Sequence, residues 1–198
     1  MTMAPDDTNA DTHRDIAERL AHLERQVEAL TAKDAIRDCL YRINRGMDRI
    51  DRTLMLSGFH DDAQICWAAP DFVAVDQFIE IAMRVQAGTS RVQHLLGNIL
   101  IALDGDTAAV ESYEIGRHLT PMPDGEKDLI IAARYIDRFS RRDGAWRIER
   151  RQKLVDWIRI MEGHDGKYDA VPHKGIRDRS DPSYANFGAA TFETRNDA

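Results

Sequence analysis

One histidine stands out by its position. In "SRVQHLLGNILIAL", Ser90 to Leu103, His94 opens an otherwise apolar run, and an imidazole on the buried face of a strand needs partners for its ring nitrogens. Upstream, a helical pattern ends in "MDRID", where Asp48 lies two turns from Tyr41 on one side, with Asn44 or Arg45 between them. A carboxylate bonded to an imidazole fixes its tautomer, leaves the second nitrogen free and stabilises the imidazolium, so such a pair makes a good general base. Spacing alone leaves a plainer reading open. His94 could be a core histidine bonded to a backbone carbonyl, and Asp48 a helix cap or a partner of Arg45 or Arg52.

Further candidates are scattered along the chain. His118 in "GRHLT" could protonate a leaving hydroxyl, or simply end a strand at the surface. Arg151 in "ERRQK" could clamp a carboxylate, a phenolate or a leaving group, with Arg150 in its place if a bulge shifts the register. Tyr135 and Trp67 read as pocket walls or as core, and Tyr41 as a hydrogen-bond donor to substrate or as packing under the sheet. "HDD" from His60 and "GHDG" around His164 are too short and solitary for a metal site, and no Gly-rich phosphate loop, nucleophile elbow or Cys-His pair is present. The expectation is no metal and no cofactor.

The elements that must hold these residues follow from periodicity. Residues 1–13 are small and polar, which predicts disorder. Ile16, Leu20, Leu23, Val27 and Leu30 form an apolar stripe on a helix over 14–30, a surface that needs a partner in the same domain or another subunit. "TAKD" at Thr31 resembles a capping box and predicts a second helix with Ile36, Leu40, Ile43 and Met47 on its buried side. A short helix near "RTLMLSGF", a strand near "DDAQICW" and a helix from about Val75 to Ala87 come next. Four strands then follow from Arg91, with Asp-Gly at the turns. The fold class is α+β, a single domain over 14–162 with an irregular tail over 163–198.

Bulk properties narrow the function. At 198 residues and 43% hydrophobic content the chain can bury one substantial core. A net charge of -7, with arginines interleaved among acids, disfavours nucleic acid and anionic membranes as partners. Two cysteines, no signal-like N-terminus and no long apolar run lead to the expectation of a cytoplasmic protein with reduced thiols.

The order of elements, with "MDRID" at a helix end, "QHLLGN" opening a long strand and "YIDRFSRRDGAWRI" across a hairpin, resembles the SnoaL-like branch of the nuclear-transport-factor-2-like superfamily over roughly residues 32–160. That resemblance implies a cone: a curved, mainly antiparallel sheet wrapped around N-terminal helices and enclosing an apolar pocket. It also implies that Asp48 and His94 fall on the catalytic dyad of the family's dehydratases and dehydrochlorinases. By the same resemblance, Arg151 and His118 fall on further active-site positions, and Trp67 stands where a dehydratase has a water-orienting tyrosine. Met47, Ala133, Tyr135 and Ile43 depart from the family pattern and argue against an identical reaction. By this resemblance the expected function is a cofactor-independent, dehydratase-like lyase acting on a small apolar or aromatic, ring-containing substrate, and the expected assembly is a trimer or a dimer of the chain. The alternatives are loss of halide, retro-aldol deformylation, or a non-catalytic subunit or ligand carrier like the small subunits of ring-hydroxylating dioxygenases.

Overall fold

The computed structural model describes residues 7–67, 70–163 and 166–187. A single helix, α1 (Asp7–Asp48), occupies the first quarter of the chain. It starts earlier than the sequence suggested, since residues 7–13 are helical and only 1–6 of the segment expected to be disordered lie outside the described residues. It also runs straight through Thr31, so the anticipated capping box is interior helix. An N-cap needs non-helical backbone at the cap. Ala29, Leu30, Ala32 and Lys33 around Thr31 are helix formers, with neither Gly nor Pro to break the run.

After α1 come α2 (Arg52–Leu56), β1 (Phe59–Cys66), β2 (Val73–Ala74) and α3 (Val75–Ala87). Four long strands follow: β3 (Arg91–Asp104), β4 (Thr107–Met122), β5 (Gly125–Arg142) and β6 (Ala145–Glu162). The sheet order is β2-β1-β6-β5-β4-β3, antiparallel throughout except that β1 joins β6 in parallel. The fold is therefore the expected α+β arrangement, with a six-stranded mixed sheet. The tight turns use left-handed backbone at Gly105, Asp143 and Gly144, as their Asp-Gly sequences require.

Ile36, Leu40, Ile43 and Met47 of α1 are fully buried, meeting Phe59 and Ile65 of β1, Ile79 of α3, and Phe139 and Ile148 of the sheet. Helix α2 crosses α1 at Gly46, where a Cβ would lie 2.6 Å from the amide nitrogen of Met55, so only glycine permits this approach. Cys39 and Cys66 are buried and form no disulfide among the described residues, and burial pushes the Cys39 thiol up to about 11. Among the described residues, no helix is long and apolar enough to cross a membrane.

The tail is less irregular than expected. It contains a 3-10 turn at Lys167–Ala170 and a short helix, α4 (Pro182–Phe187).

Candidate active site

Asp48 is the last residue of α1, and the way that helix ends aims its side chain. The amide of Ile50 bonds the Met47 carbonyl at 3.4 Å and that of Asp51 bonds the Gly46 carbonyl at 2.9 Å, the pattern of a Schellman termination. The left-handed residue of this motif is usually glycine. Here it is Ile50 at φ 52°, a strained choice for a β-branched side chain.

His94 is brought to Asp48 by an irregularity in β3. The register of the β3–β4 pair shifts between Gly97 and Ile99, with Asn98 at φ 30°. A one-residue bulge changes which parity of residue faces inward. Leu96 before it and Ile99, Ile101 and Leu103 after it all pack on the core, and His94 shares the inward parity of Leu96. That is how a histidine and an out-of-step apolar run serve the same face.

The pair is made three ways. His94 Nδ1 lies 2.7 Å from Asp48 Oδ1, and the backbone amide of His94 donates to both carboxylate oxygens at 3.1 and 3.3 Å. The His94 side chain is only 3% exposed, and its Nε2 makes no hydrogen bond to the described residues. The His118 ring stands edge-on to it, with centroids 5.1 Å apart. Both rings converge over Gly116, where a Cβ would lie 2.8 Å from His118 Nε2 and 3.4 Å from His94 Nε2. Burial, reinforced by the nearby His94 and Lys153, holds the His118 pKa down at about 4. His118 is thus neutral at pH 7, able to donate a hydrogen bond but unable to act there as an imidazolium acid.

A second bulge decides between the two arginines. The β5–β6 register shifts between Arg138 and Phe139, leaving Glu149 as the extra residue. Trp146 and Ile148 before it and Arg151 after it all face inward, while Arg150 lies over the Phe72 ring. Arg151 is 1% exposed and gives both prongs of its guanidinium to Asp137, at 2.8 and 2.7 Å. Burial alone would disfavour its charge, but the Asp137 carboxylate outweighs that and raises its pKa. The Nε/Nη2 side of the guanidinium is committed to Asp137, so this arginine serves first as the partner of a buried carboxylate.

Two further buried residues near the histidines, Glu114 and Lys153, carried no motif in the sequence. Lys153 donates to Glu114 Oε1 at 3.2 Å, and the two side chains are 7% and 0% exposed. Burial pushes the Glu114 carboxyl toward its neutral form, but Lys153, His94 and Tyr135 prevail and keep its pKa below the ordinary carboxylate value. Tyr135 is 1% exposed, and burial together with Glu114 raises its hydroxyl well above the usual range, so it stays protonated. Trp67 packs edge-to-face on Phe78, has Lys153 Nζ 5.5 Å from its ring centre, and its indole nitrogen finds no hydrogen-bond partner among the described residues. Trp67, Tyr135, His118 and Arg151, the residues expected to wall an apolar pocket, line neither of the cavities that border Asp48, and the charged Glu114–Lys153 pair lies among them. The only legible signal was the two-residue parity of Glu114 with His118 and of Lys153 with Arg151.

Asp48 borders two cavities. One, of about 880 Å³, is lined by Tyr41, Asn44, Arg45, His94 and Trp146, with Phe187 from the tail. The other, of about 610 Å³, is lined by Arg91, Arg117, Asp128, Tyr168 and Arg177. Tyr41 is half exposed on the first. The tail closes over both. Arg177 reaches the carbonyls of Asp48 and Thr89 and the Gln86 side chain, Tyr168 stacks on Arg91 at 3.6 Å, and Tyr184 donates to Asp51 at 2.9 Å. Of the two short histidine motifs, His60 bonds the Ser140 carbonyl at 3.0 Å and His164 lies outside the described residues.

The fold recurs in solved structures. A hexachlorocyclohexane dehydrochlorinase, LinA type 3, from Novosphingobium barchaimii is 18% identical, with a TM-score of 0.63 over 70% of this chain and 96% of the other. A scytalone-dehydratase-like protein from Novosphingobium aromaticivorans is 18% identical, with a TM-score of 0.61 over 69% of this chain and 91% of the other. An aromatic-ring-hydroxylase-like protein from the same species is 22% identical, with a TM-score of 0.59 over 67% and 94%. At these identities the likeness speaks for the fold alone. No curated protein sequence matches the chain. The model of the SnoaL-like domain matches residues 28–152, which include the whole of the β3–β5 sheet and the Asp48–His94 pair, and the chain belongs to that family.

Proposed function

We propose that this chain is a cofactor-independent lyase in which His94, oriented and charge-balanced by Asp48, removes a proton next to an activating group while a leaving group departs. The observation that carries this reading is the 2.7 Å bond from His94 Nδ1 to Asp48, which leaves Nε2 unbonded as the base. Loss of water is the reaction favoured. His94 Nε2 takes the proton from carbon, the C–H electron pair forms the new double bond, and the carbon–oxygen bond breaks. The departing hydroxide recovers the proton as water, which restores neutral His94. His118, neutral and beside the base, donates a hydrogen bond to the leaving oxygen. Tyr41, at the rim of the larger cavity, contacts a substrate oxygen, while Trp67 and Tyr135 form an aromatic wall around Lys153, outside that cavity. Arg151 acts through Asp137 and Tyr135 as a brace of that wall.

The substrate is a small ring-containing molecule with an activating carbonyl and a leaving group at the next carbon. The arginines around Asp48 suit one that also carries a polar substituent. Proton removal can be assayed separately from elimination. In D2O with a panel of cyclic β-hydroxyketones, the wild type should exchange or eliminate the acidic C–H, as read by proton NMR, and His94→Ala should not. Equal behaviour of the two proteins across every compound that reacts would count against the proposal.

A second reading, a non-catalytic subunit, draws on the sheet's exposed apolar side chains, among them Leu95, Ile115, Val155, Trp157, Ile158 and Ile160. It requires a large iron-containing partner that co-purifies with the chain, and a catalytically inert chain on its own.

A further inference from the structure

Between Ile16 and Leu30 the first helix presents Ile16, Leu20, Leu23, Val27 and Leu30 to solvent, each 55–67% exposed. Their spacing is four, three, four, three. Such a face repeats every seven residues, the period of a coiled-coil seam, and nothing else in the described chain covers it. Read as heptads, Leu20 and Val27 occupy the a positions and Ile16, Leu23 and Leu30 the d positions. The flanking positions discriminate between partners. Arg19 falls at g and Glu24 at the following e, five residues on, the pair that meets across the seam when two identical helices lie parallel and in register. An antiparallel pairing sets g against g and e against e. It would face Arg19 with Gln26 or another Arg19, and Glu24 with Ala17 or another Glu24.

We infer that residues 16–30 form a parallel, in-register coiled coil with a second copy of this chain, sealed by reciprocal Arg19–Glu24 pairs. Arg19 can do so, since its ionic neighbour among the described residues is an exposed Asp15 at 3.9 Å on its own helix. Parallel helices place both domains at the same end, because α1 enters the core only from Ala32 onward. A seam of five apolar layers is short for an isolated coiled coil, so the association should depend on protein concentration.

The test uses the full chain in sedimentation velocity over a range of concentrations, with far-UV circular dichroism to verify folding. The affected side chains are all exposed, so the variants should fold. Wild type should associate, and Leu23→Glu with Val27→Glu should shift it to monomer at concentrations where wild type is assembled. Arg19→Glu alone should weaken association at least several-fold, and Arg19→Glu with Glu24→Arg should recover it. A wild-type monomer at all concentrations would overturn the inference. So would assembly indifferent to the Leu23/Val27 change, since another face would then hold the copies. Indifference to Arg19→Glu would overturn the parallel register.

Discussion

At position 116 a single methyl group separates two imidazoles that can share a point in space from two that cannot. An alanine there would press on His118 Nε2 at 2.8 Å and on the near edge of the His94 ring at 3.2 Å. Both are the ends of side chains that can swing away, so the fold should tolerate Gly116→Ala with a melting temperature within a few degrees of wild type. Turnover should fall by about 10- to 100-fold, because displacement of a base by about 1 Å misaligns it with the bond it attacks. Steady-state rates and a melting curve suffice, and unchanged turnover would mean that the rings need not converge there. His118 makes a separate prediction about stability. Its folded pKa, near 4, lies below the ordinary imidazole value of 6.5, so between those values the unfolded chain binds a proton that the folded one refuses. Stability is therefore intact above about pH 6.5 and falls as pH drops toward 4, by about 3 kcal/mol from this group alone. Denaturant unfolding at pH 7, 5.5 and 4.5 should show a steeper loss for wild type than for His118→Gln. Parallel slopes would contradict the burial account.

Two elements gain their function from how they end or bend. Helix α1 stops in a Schellman turn with Ile50 in the left-handed region, and that turn sets the direction of Asp48. One residue later Asp51 starts α2, accepting from the Leu54 amide at 3.1 Å, and its other oxygen receives Tyr184 at 2.9 Å while Arg179 pairs with it. Asp51 thus caps a helix and moors the tail with one buried carboxylate. Replacing it with alanine should destabilise the protein by about 1–2 kcal/mol through the lost cap. It should also make the 163–187 segment far more sensitive to limited proteolysis under native conditions. If cleavage there stays as slow as in wild type, Asp51 does not hold the tail.

Across the whole molecule, the sequence disclosed elements by period and hid whatever depended on register. The buried stripe from Ile36 to Met47 and the four long strands with their Asp-Gly turns are local patterns, and they were readable. The uninterrupted α1 was misread because Thr31 to Asp34 has the residue types of a capping box, while the decision to cap depends on the tertiary surroundings. His94 and Asp48 were singled out by their setting, and resemblance supplied their pairing. Whether Arg150 or Arg151 faced inward turned on a bulge at Glu149 that leaves no composition signal. Glu114 and Lys153 went unnoticed because each alone is an ordinary charged strand residue. Only the folded sheet, two strands apart, makes them a buried pair.

The dyad itself is tested most directly by a double-mutant cycle on whichever compound the wild type turns over. His94→Ala should lower kcat by about a hundred- to ten-thousand-fold with the fold intact. Asp48→Asn should lose much of the same rate, because an amide can orient the ring but cannot stabilise its positive charge. The double variant should be little worse than His94→Ala, since the two act as one unit. Near-normal turnover in both folded single variants would contradict a base built from Asp48 and His94.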